Sequence, residues 1–121
     1  MRREAVDFSL YLVTDAPNRC RLGLLDTVAA AVAGGVTLVQ YRGVHEDARV
    51  RYEEALALRD LLRPLSVPLI INDHADLALA VDADGLHVGQ QDLPPEVARR
   101  LLGRERLLGL SVHNAAQLAA A

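Results

Sequence analysis

The sequence predicts an α/β fold built on an all-parallel β-sheet. Short apolar runs that favour strands alternate five times with segments that favour helices. The clearest unit is the segment VPLIINDHADLALAVDADGLHVGQQD, in which residues 68–71 and 85–88 are predicted strands and residues 75–81 a short crossover helix. Because strand, helix and strand in succession form a βαβ unit, these two strands should be parallel.

The other elements follow from local signals. Gly34 stops the first helix, Asp47 is placed to cap the second, Pro64 closes it, Pro95 helps to start the fourth, and Asn114 can cap the last. The remaining strands are predicted at residues 9–14, 36–41 and 106–111. The remaining helices are predicted at residues 22–33, 47–62, about 96–102, and 115–121.

Two closures of such a sheet are compatible with the pattern: an open doubly wound sheet, or part of an eight-stranded barrel. A full barrel takes roughly 200 residues or more, and this chain has 121. No helix-ending signal follows the last apolar segment at Ala121. We therefore expect residues 1–121 to form one partial domain that belongs to a longer protein.

Composition excludes several classes of function. Aromatic residues make up 3% of the chain and Trp is absent, so a base-stacking nucleic-acid surface is not expected. The formal net charge of −3 argues against general affinity for DNA or anionic membranes, and no apolar run approaches the ~18 residues of a membrane span. Cys20 is the single cysteine and is interpreted as an ordinary thiol, which suits a reducing cytoplasm.

Two carboxylates follow the strands of the central unit. Asp73 comes after residues 68–71 and Asp92 comes after residues 85–88. Parallel neighbours end at the same edge of a sheet, so both carboxylates should lie there, where α/β enzymes place their chemistry. They would repel each other unless a cation lay between them, and Mg²⁺ is the natural candidate. The alternative for Asp73 is a cap on the following helix.

Four segments cover most of the chain and share a recognisable pattern: YLVTD, GGVTLVQYR, LIINDHADLALAVDADGLHVGQQDLP and GLSVHN, at residues 11–15, 34–42, 69–94 and 109–114. Together they resemble the thiamine phosphate synthase family, and the resemblance covers nearly the whole chain. These segments look like the first five strands of that enzyme and of its paralogue, the thiazole tautomerase, both of which are TIM barrels. The resemblance implies that the chain forms about the first five βα units of such a barrel.

For the synthase, the resemblance implies transfer of a hydroxymethylpyrimidine group from its diphosphate to a thiazole phosphate, with release of pyrophosphate. Asp73 and Asp92 correspond to the Mg²⁺ ligands of that family. The positions that correspond to substrate contacts are Gln40, Arg42, Asn72, His87 and Ser111.

Without the resemblance, three of these residues have ordinary structural interpretations. Arg42 equally suits a surface ion pair, His87 a hydrogen-bonded core histidine, and Ser111 a hydroxyl at a strand end.

The sequence departs from the family pattern at Val44, where the pattern after the second strand usually has a lysine. In addition, His113 corresponds to the catalytic histidine of the tautomerase branch. A neutral imidazole there could move a proton during thiazole aromatisation, although His113 is also compatible with a residue that merely starts a helix.

A third hypothesis is a catalytically incomplete half-barrel. The phosphate-binding loops of the family follow its last strands, beyond the part of the barrel that this chain resembles. Open sheet edges and an uncovered apolar interior would favour association, so we expect a homo-oligomer that binds small-molecule substrates.

Overall fold

The computed structural model describes residues 5–15, 23–45 and 47–121. Within these ranges five strands form one sheet in the order β1-β2-β3-β4-β5, and all four neighbouring pairs are parallel. The predicted parallel α/β sheet is therefore confirmed. The strands are β1 Tyr11–Val13, β2 Leu38–Tyr41, β3 Leu69–Asn72, β4 Gly85–Val88 and β5 Leu107–Leu110.

A helix follows each strand among the described residues. The helices are α1 Leu24–Ala33, α2 Ala48–Leu62, α3 Ala75–Ala80, α4 Pro95–Leu102 and α5 Ala115–Ala120, and a 3₁₀ turn at Arg63–Leu65 extends α2. The predicted caps of α2 and α5 are present, since Asp47 accepts a hydrogen bond from the Arg49 N–H and Asn114 accepts one from the Gln117 N–H. None of the described helices combines the length and apolar character required to cross a bilayer.

Some predicted bounds lie outside the described residues or differ from the structure. The loop after β1, Cys20 and the first residue of the predicted first helix fall within residues 16–22, which are not described. The first two predicted strands are longer than observed, because pairing begins only where Tyr11 lies opposite Leu38. α2 ends at Leu62, as predicted from Pro64, and the chain then continues as a short 3₁₀ turn, because proline is tolerated in the first turn of a helix.

The two faces of the sheet have different partners. One face packs against the helices, and its core contains Val39, Tyr41 and Ile71 together with Leu58 and other helix residues. Tyr41 also donates a hydrogen bond of 2.6 Å from its hydroxyl to Glu54 of α2. Because side chains alternate along a strand, the residues between these positions project from the other face. That second face carries most of the polar side chains predicted to bind substrate.

Arginines join the helices to the amino-terminal edge of the sheet. Arg106 binds the Asp82 carboxylate at 2.6 Å and donates to the carbonyls of Ala83 and Leu102. Arg59 donates to the carbonyl of Val81. Asp84, which directly precedes β4 at this edge, accepts a hydrogen bond from the Leu69 N–H, which holds the start of β3 against the start of β4. Guanidinium groups thus satisfy carbonyls that the ends of α3 and α4 leave free.

Candidate functional site

The strand register gathers the predicted site residues at the carboxyl-terminal edge of the sheet. Asn72 of β3 pairs with His87 of β4, and His87 pairs in turn with Gly109 of β5. Gln40 of β2 pairs with Ile70, one pleat below Asn72 on the same face. Asp73 immediately follows β3, and its N–H donates to the His87 carbonyl at 2.8 Å. This edge therefore carries polar side chains from three neighbouring strands, β2, β3 and β4.

Asp73 and Asp92 interact at this edge, as the sequence led us to expect. Partial removal from water, followed by hydrogen bonding and charge repulsion from Asp92, raises the pKa of the Asp73 carboxyl above 3.8. The His74 charge and a hydrogen bond from Asn72 act in the opposite direction and are smaller. Burial and the neighbouring acidic group both disfavour the charged form of Asp73, which accounts for the direction of the shift.

The alternative role of Asp73 as a helix cap is wrong. His74 occupies the cap position of α3, and no side chain caps that helix. Asp73 instead has a left-handed backbone with φ of 67°. Aspartate tolerates this conformation better than most residues, but it still carries a cost. The backbone turn lets the Asp73 N–H pair with β4, while α3 begins two residues later at Ala75.

Asp92 is fixed by its own loop. One of its oxygens accepts a hydrogen bond of 2.7 Å from the Gly89 N–H, so the carboxylate closes the turn that follows β4. The side chain is partly buried. A carboxylate held by a backbone donor is preorganised, and an ionised carboxylate has further lone pairs that can bind a cation.

The donor set fits Mg²⁺ better than it fits a metal that requires a complete protein cage. Among the described residues no group of three or more His, Cys, Asp or Glu side chains could enclose a metal ion. Magnesium differs from zinc in this respect, because it commonly binds through one or two carboxylates and completes its octahedron with water and substrate phosphates. Asp73 and Asp92 supply two such oxygen donors.

Gln40 and Arg42 are both positioned by β1. The Gln40 side chain is 6% exposed, and its amide donates to the Tyr11 hydroxyl at 3.0 Å. The Arg42 N–H donates to Thr14 Oγ1 at 2.9 Å, which fixes the backbone at the end of β2. The Arg42 side chain is exposed and makes no ion pair with any residue that the structure describes. Its interpretation as half of a surface ion pair is therefore not supported.

His87 and Ser111 form a hydrogen-bonded pair across β4 and β5. Nε2 of His87 lies 2.8 Å from Oγ of Ser111. The backbone of Ser111 is held twice, by its N–H donating to the Val88 carbonyl and by its carbonyl accepting from the Gln90 side-chain amide at 2.8 Å. His87 is only partly buried, on the face of the sheet opposite the helices, so it is not a core histidine in the ordinary sense.

Two further residues considered at the sequence level lie at the surface. His113 is exposed just before α5, where its N–H donates to Gln117 Oε1 at 2.7 Å. Val44 is 49% exposed beyond the end of β2. The structure records no contact that joins His113 to the Asp73 and Asp92 pair.

Sequence reasoning missed three residues that support the site. Tyr11, Thr14 and Gln90 act through the hydrogen bonds given above, which depend on strand register and leave no local signal.

One cavity formed by the described residues lies away from this edge. It has a volume of about 890 Å³ and is lined by the ends of α2 and α4 and by the starts of β3, β4 and β5. Arg59 and Arg106 line it, but their guanidinium groups already bind carbonyls and Asp82. Packing at the amino-terminal edge accounts for this cavity, and we place no chemistry there.

Comparison with known proteins identifies the family. Residues 10–121 match the family described as thiamine monophosphate synthase. The chain is 54% identical over 114 residues to thiamine-phosphate synthase of Xanthobacter autotrophicus, covering 94% of this chain and 54% of that protein. It is 55% identical over 109 residues to that of Chloroflexus aurantiacus, covering 90% of this chain and 50% of that protein.

A solved structure has the same fold. It is the thiamine phosphate pyrophosphorylase from Pyrococcus furiosus, with a TM-score of 0.80 and 34% identity, over 92% of this chain and 53% of that one. The five strand-helix units thus correspond to part of a TIM-barrel-like fold. The chain spans about half the length of the curated relatives it matches. With its sequence matched from β1 to α5 and its fold shared with a solved relative, the chain belongs to the thiamine monophosphate synthase family.

Proposed function

We propose that this chain acts in the synthesis of thiamine phosphate, as part of a transferase. The reaction joins hydroxymethylpyrimidine diphosphate to a thiazole phosphate and releases pyrophosphate. The observation that carries the proposal is the pair of neighbouring carboxylates, Asp73 and Asp92. Burial, and then hydrogen bonding and charge repulsion between the two groups, raise the pKa of Asp73. Keeping two acidic groups together is unfavourable unless a cation joins them, and a diphosphate substrate arrives with such a cation.

In this proposal Asp73 and Asp92 hold Mg²⁺, which neutralises negative charge on the pyrophosphate when it is bound. Asn72 is adjacent in sequence and offers its amide to the same region of substrate. Arg42 is exposed at the end of β2, and a planar guanidinium is suited to bidentate contact with phosphate oxygens. These residues together would hold the leaving group while the bond to the pyrimidine breaks.

Gln40, His87 and Ser111 are proposed to contact the rest of the pyrimidine diphosphate. Gln40 is held by Tyr11, so its amide is oriented before substrate arrives. His87 is held by Ser111, whose hydroxyl is proposed to contact the pyrophosphate. Preorganised hydrogen-bonding groups lower the cost of binding, because fewer side chains must become ordered.

A direct test mixes the chain with pyrimidine diphosphate, thiazole phosphate and Mg²⁺ and follows thiamine phosphate by chromatography. We expect product from the parent chain, and none above background from Asp73→Ala. Asp60→Ala, which removes an exposed carboxylate of α2, serves as the matched control and should retain the rate. A folded parent chain that forms no product would contradict the proposal.

The alternative function is thiazole tautomerisation. Val44 in place of a lysine and the exposed imidazole of His113 favour it. It predicts aromatisation of the thiazole tautomer without Mg²⁺, and loss of that reaction in His113→Ala. The carboxylate pair favours the synthase, because the tautomerase does not require it.

We further propose that the chain associates with a second copy of itself. In the described sheet β1 and β5 each have one neighbouring strand. Apolar side chains at and before β1 are exposed: Phe8, Leu10, Tyr11 and Val13. Covering such an edge stabilises a parallel sheet. Light scattering that gives a monomer would contradict the association. A cytoplasmic location is proposed on the single cysteine of the chain.

A further inference from the structure

The space beside Gly109 is filled by the imidazole ring of His87. The two residues are register partners on β5 and β4. A Cβ atom added to Gly109 would overlap Nδ1 of His87, and it would lie 3.2 Å from Cε1 and 3.3 Å from Cγ. Any side chain at position 109 therefore requires the His87 ring to move.

Backbone conformation does not explain this glycine. The glycines with positive φ are Gly35 and Gly103 among the described residues, and Gly109 is not one of them. Its strand conformation is open to any residue. Gly85, on the neighbouring strand, offers a comparison: a Cβ there would meet Ile70 and Leu107 at 2.7 Å, so its missing side chain serves packing of apolar residues. At Gly109 the group that takes the space is a polar ring at the site edge.

The second nitrogen of the ring is also held. Nε2 of His87 lies 2.8 Å from Oγ of Ser111, two residues after Gly109. Ser111 cannot easily follow a displaced ring, because its N–H is bound to Val88 and its carbonyl to Gln90. The ring therefore lies against β5, with Nδ1 over Gly109 and Nε2 within hydrogen-bonding distance of Ser111 Oγ.

We propose that Gly109 is a positioning residue for His87: the absent side chain lets the imidazole lie against β5, where Ser111 binds Nε2. The functional consequence depends on the proposed synthase reaction, in which His87 contacts the pyrimidine diphosphate. A methyl group at position 109 pushes the ring away from β5, breaks its bond to Ser111, and moves it into the space above the strand ends.

Stability measurements on four proteins test the packing directly. Gly109→Ala should lower Tm by roughly 5–15 °C, because an extra methyl group in a filled space forces neighbours to shift. In the His87→Ala background the same change should lower Tm by less than about 3 °C, since the ring that obstructs it is gone. If Gly109→Ala fails to fold, the double variant should fold again. Equal destabilisation in both backgrounds, or a double variant that stays unfolded, would overturn the proposal.

A spectroscopic readout separates positioning from general packing. In the NMR spectrum of protein labelled with ¹⁵N-histidine, Ser111→Ala should shift the Nε2 resonance of His87, because the substitution removes the hydrogen bond of that nitrogen. Gly109→Ala should shift that resonance in the same direction. Gly34→Ala should leave it unchanged, because a Cβ there meets only helix carbonyls at 3.4 and 3.5 Å. An unshifted Nε2 resonance in folded Gly109→Ala would refute the proposal.

Activity measurements test the functional consequence. Gly109→Ala and His87→Ala should lower kcat/KM for the pyrimidine diphosphate by similar factors, and the double variant should be no worse than either. Full activity in Gly109→Ala with a shifted resonance would overturn the claim that this position matters to the reaction. A parent chain without synthase activity would refute only the proposed function, because the Tm and NMR results still decide whether Gly109 positions His87.

Discussion

Asp92 combines a structural role and a proposed binding role that two substitutions can separate. One oxygen accepts the Gly89 N–H at 2.7 Å, and the carboxylate also acts on Asp73. Asp92→Ala removes both the acceptor and the charge. Asp92→Asn keeps a carbonyl oxygen for Gly89 but removes the charge, so the two variants should differ in stability while sharing any loss of Mg²⁺ binding.

The magnitudes follow from the geometry. A hydrogen bond to a charged group contributes about 1.5–3 kcal/mol, and partial burial of Asp92 favours the lower part of that range. Asp92→Ala should therefore cost about 2 kcal/mol, which is roughly 6–12 °C in Tm for a chain of this size. Asp92→Asn should cost less than about 1 kcal/mol, because it keeps a neutral hydrogen bond and removes the repulsion on Asp73.

Thermal unfolding in metal-free buffer measures the first effect, and calorimetric titration with Mg²⁺ in the presence of pyrophosphate measures the second. Loss of a residue that only supports a metal ligand typically weakens affinity by about 10–100-fold, so removal of a ligand should reach at least the upper figure. Both Asp92 variants should show this loss of Mg²⁺ affinity, while Asp60→Asn should bind Mg²⁺ as the parent does. Parent-like Mg²⁺ affinity in Asp92→Asn would refute the shared-cation reasoning, and equal Tm values for the two Asp92 variants would refute the role of the Gly89 bond.

Three further predictions concern folding. Because the pKa of Asp73 is raised, its contribution to stability is present below pH 3.8 and is lost as pH rises through the raised value. In metal-free buffer, urea denaturation should therefore show Asp73→Asn gaining stability relative to the parent between about pH 3 and about pH 7, and a constant difference would contradict this. Leu58→Ala removes a fully buried side chain and should lower the free energy of unfolding, measured by the same urea denaturation, by about 2–5 kcal/mol. The same change at half-exposed Leu101 should lower it by less than about 1 kcal/mol. Asp47→Ala should cost about 1 kcal/mol through loss of the α2 cap, and an unchanged midpoint would show that Arg49 N–H finds another acceptor.

Local signals predicted the elements whose causes are local. The cap of α2 at Asp47 and the bounds of β4 at Gly85 and Val88 depend on neighbouring residues, and the structure confirms both. The length of β1 depends instead on where β2 offers partners, so residues 9–14 were too long a prediction. Contacts between residues that are distant in sequence cannot be predicted from any single segment of the chain.

The same distinction applies to the candidate site. Placement of Asp73 and Asp92 at one edge follows from parallel topology and could be predicted, whereas the left-handed turn at Asp73 could not. The contact of Gln40 with Tyr11 requires the register of two strands that are separated in the chain by a helix. The metal, substrate and His113 assignments stay predictions until binding and activity are measured.

The contacts of Arg59 and Arg106 around Asp82 affect which parts of this protein can change in sequence without loss of the fold. It joins helix ends to strand starts at the rim opposite the candidate site, so much of the cohesion of the framework is independent of the loops that follow the strands. Libraries that randomise those loops should yield many folded variants with altered ligand preference. Replacement of Arg106 should lower the stability of the framework. The framework should then tolerate fewer loop sequences, because less stability remains to offset the destabilisation that they cause.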